Sequence, residues 1–174
     1  MEVEYLIIES EHIKLVPLEK RFAEEIFTEF NEDVCKYMYP APALTIDETY
    51  EFINSTLPKI KEGKDYTFVI LKKDTDEFIG CGGVHHLLED IPEFGIWTKV
   101  SSHGNHYGYE AIKAAYDYFK PYYKAFLYPV DMDNTPSKKI PLKLDGKLNK
   151  RIDQLNQQGR LLKIEEYLVP GNLQ

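Results

Sequence analysis

The chain has 174 residues, 43% hydrophobic and 29% charged, the proportions of one globular domain large enough to bury a core without staples. Its 29 acidic against 21 basic residues give a net charge of −8, which speaks against non-specific nucleic-acid binding, because replacing phosphate counterions needs basic surface. The acidic start MEVEYLIIESEH does not resemble a signal peptide, no run approaches membrane-spanning length, and Cys35 and Cys81 form neither a metal spacing nor a disulfide framework.

A cytoplasmic protein is therefore expected. Ile13 to Leu18 (IKLVPL) predicts a short strand with Pro17 near its end. Phe22, Ala23, Ile26, Phe27 and Phe30 recur at helical spacing, so a helix is expected over Lys20 to Asn31. Asn31 to Pro42 reads as a loop, whose Tyr37, Met38 and Tyr39 either line a groove or tuck against the core. Thr45-Ile46-Asp47-Glu48 has the form of a capping box opening a second helix. Tyr50, Ile53 and Leu57 continue its apolar stripe, and Pro58 or Gly63 closes it.

Asp65 to Lys72 and Glu77 to Val84 predict a hairpin around the polar turn Lys73 to Asp76. Gly80, Gly82 and Gly83 in the second strand suggest a bulge, or close approach of another backbone or a ligand. Ile91 to Trp97 is the next strand, and it feeds a polar loop with Ser101, Ser102, Gly104 and Asn105. From Gly108 on, Ala111, Ile112, Ala115, Tyr116 and Phe119 share one helical face, and Pro121 ends the helix. A flexible turn running into a helix start points unpaired N–H groups and a positive dipole end at the loop, which suits a phosphate or pyrophosphate. Tyr123 to Val130 predicts another strand, and Asp133 to Ser137 a turn able to start a helix. Leu148 to Leu155 and Arg160 to Val169 flank the hairpin turn Asn156 to Gly159, and Pro170 to Gln174 reads as a loose tail. The order gives one α+β domain over residues 1–174.

These pieces resemble the GNAT-superfamily N-acetyltransferases, and within them the ribosomal-protein-alanine acetyltransferase (RimJ/RimL-like) branch. The resemblance runs from about Glu11 to Pro170. It is carried by HIKLVPLEKRFAEEIF, LTIDETYEFI, FVILKKDTDEFIGCGGVHHL, PEFGIWTKVSSHGNHYGYEAI and DNTPSKKIPLKL. It implies a mixed, mostly antiparallel sheet, splayed near its middle and flanked by helices. It also implies acetyl-coenzyme A as cofactor. The family's Gln/Arg-x-x-Gly-x-Gly/Ala loop falls on His103, Gly104, Asn105, His106, Tyr107 and Gly108, whose backbone amides would hold the pyrophosphate. His103 and His106 depart from the pattern, His106 standing where a glycine is usual. The backbone at Trp97, Thr98 and Lys99 would pair with the pantetheine arm. Pro141 would interrupt the helix after Ser137.

By the same resemblance, Asn134 holds the cofactor and Ser137 protonates the departing thiolate. On local sequence alone both equally suit a helix cap. Glu93 is either a solvent-facing strand residue or a carboxylate that relays the acceptor's proton. His85 and His86 stand where the acceptor cleft would open, as a substrate contact, a base or plain loop residues. Cys81 reads as a buried strand residue, because no base adjoins it. The implied activity is direct acetyl transfer in a ternary complex to a primary amine, on a protein N-terminus or a small molecule, with no nucleic-acid or membrane partner; the acting unit is one chain or a homodimer. Two other readings stay open. One is a catalytically weakened GNAT-like module that binds coenzyme A or a protein; the other is a scaffold taking a different anionic nucleotide at the same loop.

Overall fold

The strand-forming runs build one eight-stranded sheet in a computed structural model that describes residues 1–174. In chain order the strands are β1 (Ile8–Glu9), β2 (Ile13–Pro17), β3 (Tyr66–Lys72), β4 (Phe78–His85), β5 (Glu93–Thr98), β6 (Ala125–Asp131), β7 (Lys147–Leu155) and β8 (Leu161–Pro170). Their order across the sheet is β1-β2-β3-β4-β5-β6-β8-β7, antiparallel everywhere except between β5 and β6. The helices are α1 (Ala23–Glu29), α2 (Glu32–Cys35), α3 (Ile46–Lys61), α4 (Tyr107–Phe119) and α5 (Thr135–Lys143). No helix is long and apolar enough to cross a membrane.

The core is aromatic, drawing on the chain's 13 tyrosines and 9 phenylalanines. Tyr66, Phe68, Phe94, Phe119, Phe126 and Tyr128 are fully buried. Phe94 of β5 and Phe126 of β6 stack at 4.8 Å, pinning those two strands where they still run together. Tyr66 and Tyr123 bury their rings while their hydroxyls donate to the Leu6 and Leu87 carbonyls at 2.9 and 2.7 Å, so neither polar tip is stranded.

Several local expectations shift. The first helix opens as a 3-10 turn, Lys20–Phe22, and the stretch read as a loop contains α2, whose start Asn31 caps by accepting from the Val34 amide at 3.2 Å. The capping box is half made: Thr45 caps nothing, while Glu48 accepts from the Leu44 amide, one residue further out. The buried stripe of α3 is Thr49, Ile53, Thr56 and Ile60, whereas Tyr50 is exposed. Pro58 lies inside α3, and Gly63, with φ of 68°, is the residue that turns the chain away. Pro141 does not interrupt α5 either, since the helix runs on to Lys143.

The strand glycines have a steric cause. A Cβ on Gly80 would lie 2.1 Å from the Trp97 carbonyl oxygen, and one on Gly82 would lie 2.7 Å from the Phe68 ring. A register shift between Ile70 and Leu71 accompanies them on β3.

Candidate active site

The sheet is built to open at one seam. Strands β5 and β6 share a single bridge, Glu93 with Leu127, and then part. The Lys99 amide donates to Ile79 of β4, and the Pro92 carbonyl accepts from Leu127 of β6, both at 2.8 Å. Backbone groups alternate sides along a strand, so Trp97 and Lys99 turn towards β4 while Ile96 and Thr98 turn towards the gap. The amide and carbonyl of Ile96 and the amide of Thr98 are therefore unpaired along the open edge. Of the three positions expected to offer backbone groups, Thr98 faces the gap. Ile96, which sequence reasoning missed, faces it too; a strand's alternation can be read from sequence, but its phase cannot.

The loop after β5 supplies a second set of free donors. The amides of Gly104, Asn105, His106, Tyr107, Gly108 and Tyr109 donate to no backbone or side-chain acceptor, and the ladder begins with the Glu110 amide on the His106 carbonyl at 3.0 Å. Gly104 takes φ of 84° and His106 φ of 61°. His106 thus adopts the left-handed conformation that a glycine would take most easily, and histidine is among the side chains that enter it most often. The His103 ring turns back, its Nε2 2.9 Å from the Thr98 carbonyl oxygen, and Asn105 Nδ2 donates to the Ser102 carbonyl at 3.0 Å. These side chains fold the loop and leave its N–H groups outward, at the positive end of α4. A Cβ on Gly108 would meet Ile96, Thr98 and Ile140 only at 3.9 to 4.0 Å. Packing alone therefore does not demand glycine there. Helix α4 covers the sheet face that carries Ile96 and Thr98.

Across the gap stands α5. Asn134 caps it, accepting from the Ser137 amide at 3.4 Å, and Pro136 occupies its first turn. Ser137 Oγ lies 2.8 Å from the hydroxyl of Tyr128 on β6. Burial pushes the Tyr128 phenol well above its ordinary range, so it stays protonated and able to donate. Tyr128 was missed from sequence because its partner lies on a different element.

The opposite face holds a cleft of about 760 Å³, walled by Phe27, Phe30, Phe52 and Met38 and floored by β3, β4 and β5. Trp97 packs against Phe30 at 5.0 Å and lines this cleft. Met38 lines it as well, whereas Tyr37 lies under Arg160, 5.0 Å from the guanidinium. Cys81 is on the floor, with burial holding it as a thiol, and Cys35 is pushed up to about 12 by burial. The Thr67 hydroxyl also lines it and is the one buried side-chain polar atom without a hydrogen-bond partner.

Titratable groups gather where the cleft approaches the seam. His85 pairs with Glu93 across β4 and β5, and His85 Nδ1 lies 3.6 Å from Asp65 Oδ2. The His85 ring beside Asp65, helped by the His86 amide, holds that carboxyl down at about 2. Glu93 is shifted upward, chiefly by burial. It does not line the cleft itself but stands at the vertex where β5 and β6 begin to part. His86 points elsewhere, its Nδ1 3.3 Å from Glu89. No group of three or more His, Cys, Asp or Glu residues is arranged to hold a metal.

Residues 12–147 match the family model described as an acetyltransferase (GNAT) domain. No curated protein matches the chain. Among solved structures it is similar to RimL, a ribosomal L7/L12 alpha-N-protein acetyltransferase in complex with coenzyme A, at a TM-score of 0.85 and 13% identity, covering 97% of this chain and 100% of that one. It is also similar to the microcin C7 self-immunity acetyltransferase MccE in complex with acetyl-CoA and AMP, at 0.78 and 18%, covering 92% and 93%. A GNAT-family acetyltransferase from Bacillus anthracis aligns at 0.78 and 20%, covering 95% and 98%. At these identities the structural likeness is one of fold.

Proposed function

The chain belongs to the GNAT acetyltransferase family, and from that premise we propose an N-acetyltransferase that moves the acetyl group of acetyl-coenzyme A to a primary amine by direct transfer in a ternary complex. The observation that carries the reading is the run of free amides from Gly104 to Tyr109 beside the unpaired edge of β5. A pyrophosphate needs several N–H donors converging at a helix start, and an amide-bearing arm needs a strand edge to pair with. The chain offers both, one after the other. The cradle runs from Gly104 to Tyr109, the His103 amide being spent on the Val100 carbonyl at 3.1 Å; the pairing edge is formed by Ile96 and Thr98, and Asn134 stands at the start of α5. The thioester supplies an activated acetyl carbonyl at the seam.

Each group near the seam then has a task. Ser137 Oγ, backed by the Tyr128 hydroxyl at 2.8 Å, can give a proton to the sulfur that leaves. Glu93 at the vertex can pass the amine's proton towards solvent, and an upward-shifted carboxyl suits a relay working near neutral pH. Direct transfer is favoured over an acyl-enzyme, since the cysteine in the cleft is a buried thiol and no base adjoins it. The acceptor belongs in the cleft on the far face, between the loops over residues 31–44 and 85–92. RimL's description as an acetyltransferase of ribosomal protein L7/L12 supports a protein N-terminus as acceptor, and a small amine is the other candidate.

The weakened-module reading rested on His106 and Pro141. His106 keeps the loop in its glycine-like conformation and α5 continues through Pro141, so neither favours that reading. The test is calorimetric titration with acetyl-coenzyme A, followed by thiol release across a panel of peptides and small amines. Absence of binding would sink the proposal.

A further inference from the structure

Gly83 and Gly95 are cross-strand partners on the cleft face. A Cβ on Gly83 would lie 2.5 Å from the His85 ring, and one on Gly95 would lie 3.4 Å from His85 Nε2. The imidazole is therefore laid flat on the sheet, over two residues without side chains, with Nε2 reaching from β4 towards β5. Its other nitrogen, Nδ1, faces Asp65, which is fixed in turn by accepting from the His86 amide at 2.9 Å. The side chain is about one-third exposed, so Nε2 is open to whatever occupies the cleft.

We propose that His85 takes the acceptor amine's proton at Nε2, and that Asp65 is the positioning residue holding the ring and its Nδ1 proton. This rests on the acyl-transfer reading above. A carboxylate on Nδ1 fixes the tautomer, leaving a lone pair on Nε2, and favours the imidazolium once it forms. The charged and titratable groups around the ring are Asp65 at the entry to β3, Lys59 on α3, Glu93 on β5, and His86 with Glu89 after β4. In the step itself, the neutral amine nitrogen bonds to the acetyl carbon and the carbon–sulfur bond breaks. The nitrogen's surplus proton goes to Nε2 and on through Glu93 to solvent, while the sulfur takes one from Ser137 Oγ, which regains a proton from solvent. Atoms and charge balance to an amide and a free thiol.

The experiment has two arms. Nitrogen-15 spectra of the histidine rings, assigned with His85→Gln, are recorded on the whole protein with bound coenzyme A. They should show neutral His85 protonated on Nδ1, with that preference lost in Asp65→Asn; a ring protonated on Nε2 would overturn the proposal whatever the acceptor is. The second arm compares the wild type and His85→Gln on the best amine from the thiol-release panel. The expected result is a fall in kcat of about 100-fold, loss of the acidic limb of the kcat/KM profile, acetyl-coenzyme A affinity within twofold, and partial rescue by added imidazole. Retention of both rate and acidic limb by a variant that still binds acetyl-coenzyme A would refute it. Failure of acetyl-coenzyme A to bind the wild type would instead refute the acetyltransferase reading itself, and with it this role for His85.

Discussion

Two residues invite substitution because their environment contradicts their chemistry. His106 holds φ at 61° with a Cβ attached. Left-handed backbone costs a residue with a Cβ about 1–2 kcal/mol, and glycine gives part of that back through its looser unfolded chain. His106→Gly should therefore raise stability by about 0.5–1 kcal/mol, read as a shifted urea midpoint at constant slope. It should also tighten acetyl-coenzyme A binding by clearing a side chain from the cradle; weaker binding would mean that the imidazole itself touches the phosphates. Thr67 is the reverse case, an unpartnered hydroxyl in the otherwise apolar run YTFVIL. Thr67→Val keeps the shape and removes the desolvated group, so the free protein should gain about 1 kcal/mol. If the hydroxyl waits for the acceptor, KM for the amine should rise severalfold in the same variant while kcat holds. His106 stood out in sequence as a departure from the family's glycine, whereas Thr67 did not, because a missing hydrogen-bond partner is a property of the assembled fold.

Among the elements, those with strong periodicity were legible and those depending on distant partners were not. The face of α4 through Ala111, Ile112, Ala115 and Phe119 is buried as its spacing indicates. The Asn156–Gly159 hairpin turn is also where the sequence placed it, with Gly159 at φ of 78°. What that turn does was hidden, since its partners lie more than a hundred residues away. The Ala41 amide donates to Gln157 Oε1 at 3.0 Å, the Gln157 amide to the Tyr39 carbonyl at 2.9 Å, and Asn156 Nδ2 to the Met38 carbonyl at 3.2 Å. The turn thus clasps the loop over residues 31–44, which forms one wall of the cleft. Gln157→Ala removes one side-chain tie and leaves the backbone bond. The loop should then exchange amide protons faster, and KM for the acceptor should rise about two- to fivefold. The proposed cofactor cradle lies at the start of α4, away from this clasp, so acetyl-coenzyme A affinity should not move. A matching loss of cofactor affinity would show that the clasp supports the whole sheet rather than the acceptor wall.

On the scale of the molecule, the fold class was legible because element order and composition agree, while the splay was legible only through the family resemblance, because the parting of β5 from β6 is a relation between strands. The seam also draws carboxyls of opposite character together, and this makes stability depend on pH in a checkable way. Asp65 is held at about 2 in the folded chain against an ordinary 3.8, chiefly by His85. A depressed carboxyl contributes stability that is present above the unfolded value and is lost as pH falls through the folded one. The Asp65 contribution should therefore fade between about pH 4 and pH 2, in company with Glu110 and Asp117, which are also shifted downward. Glu93 works in the other sense, since burial raises it and its ionised form is penalised in the folded state. That penalty is relieved as Glu93 takes up its proton on acidification, so it partly offsets the loss from Asp65. Urea midpoints measured from pH 6 down to pH 2 should fall in the wild type. In Asp65→Asn they should start lower and fall less steeply, and in Glu93→Gln they should start higher and fall more steeply. Parallel curves for Asp65→Asn and the wild type would show that the Asp65–His85 contact carries no folded-state charge coupling.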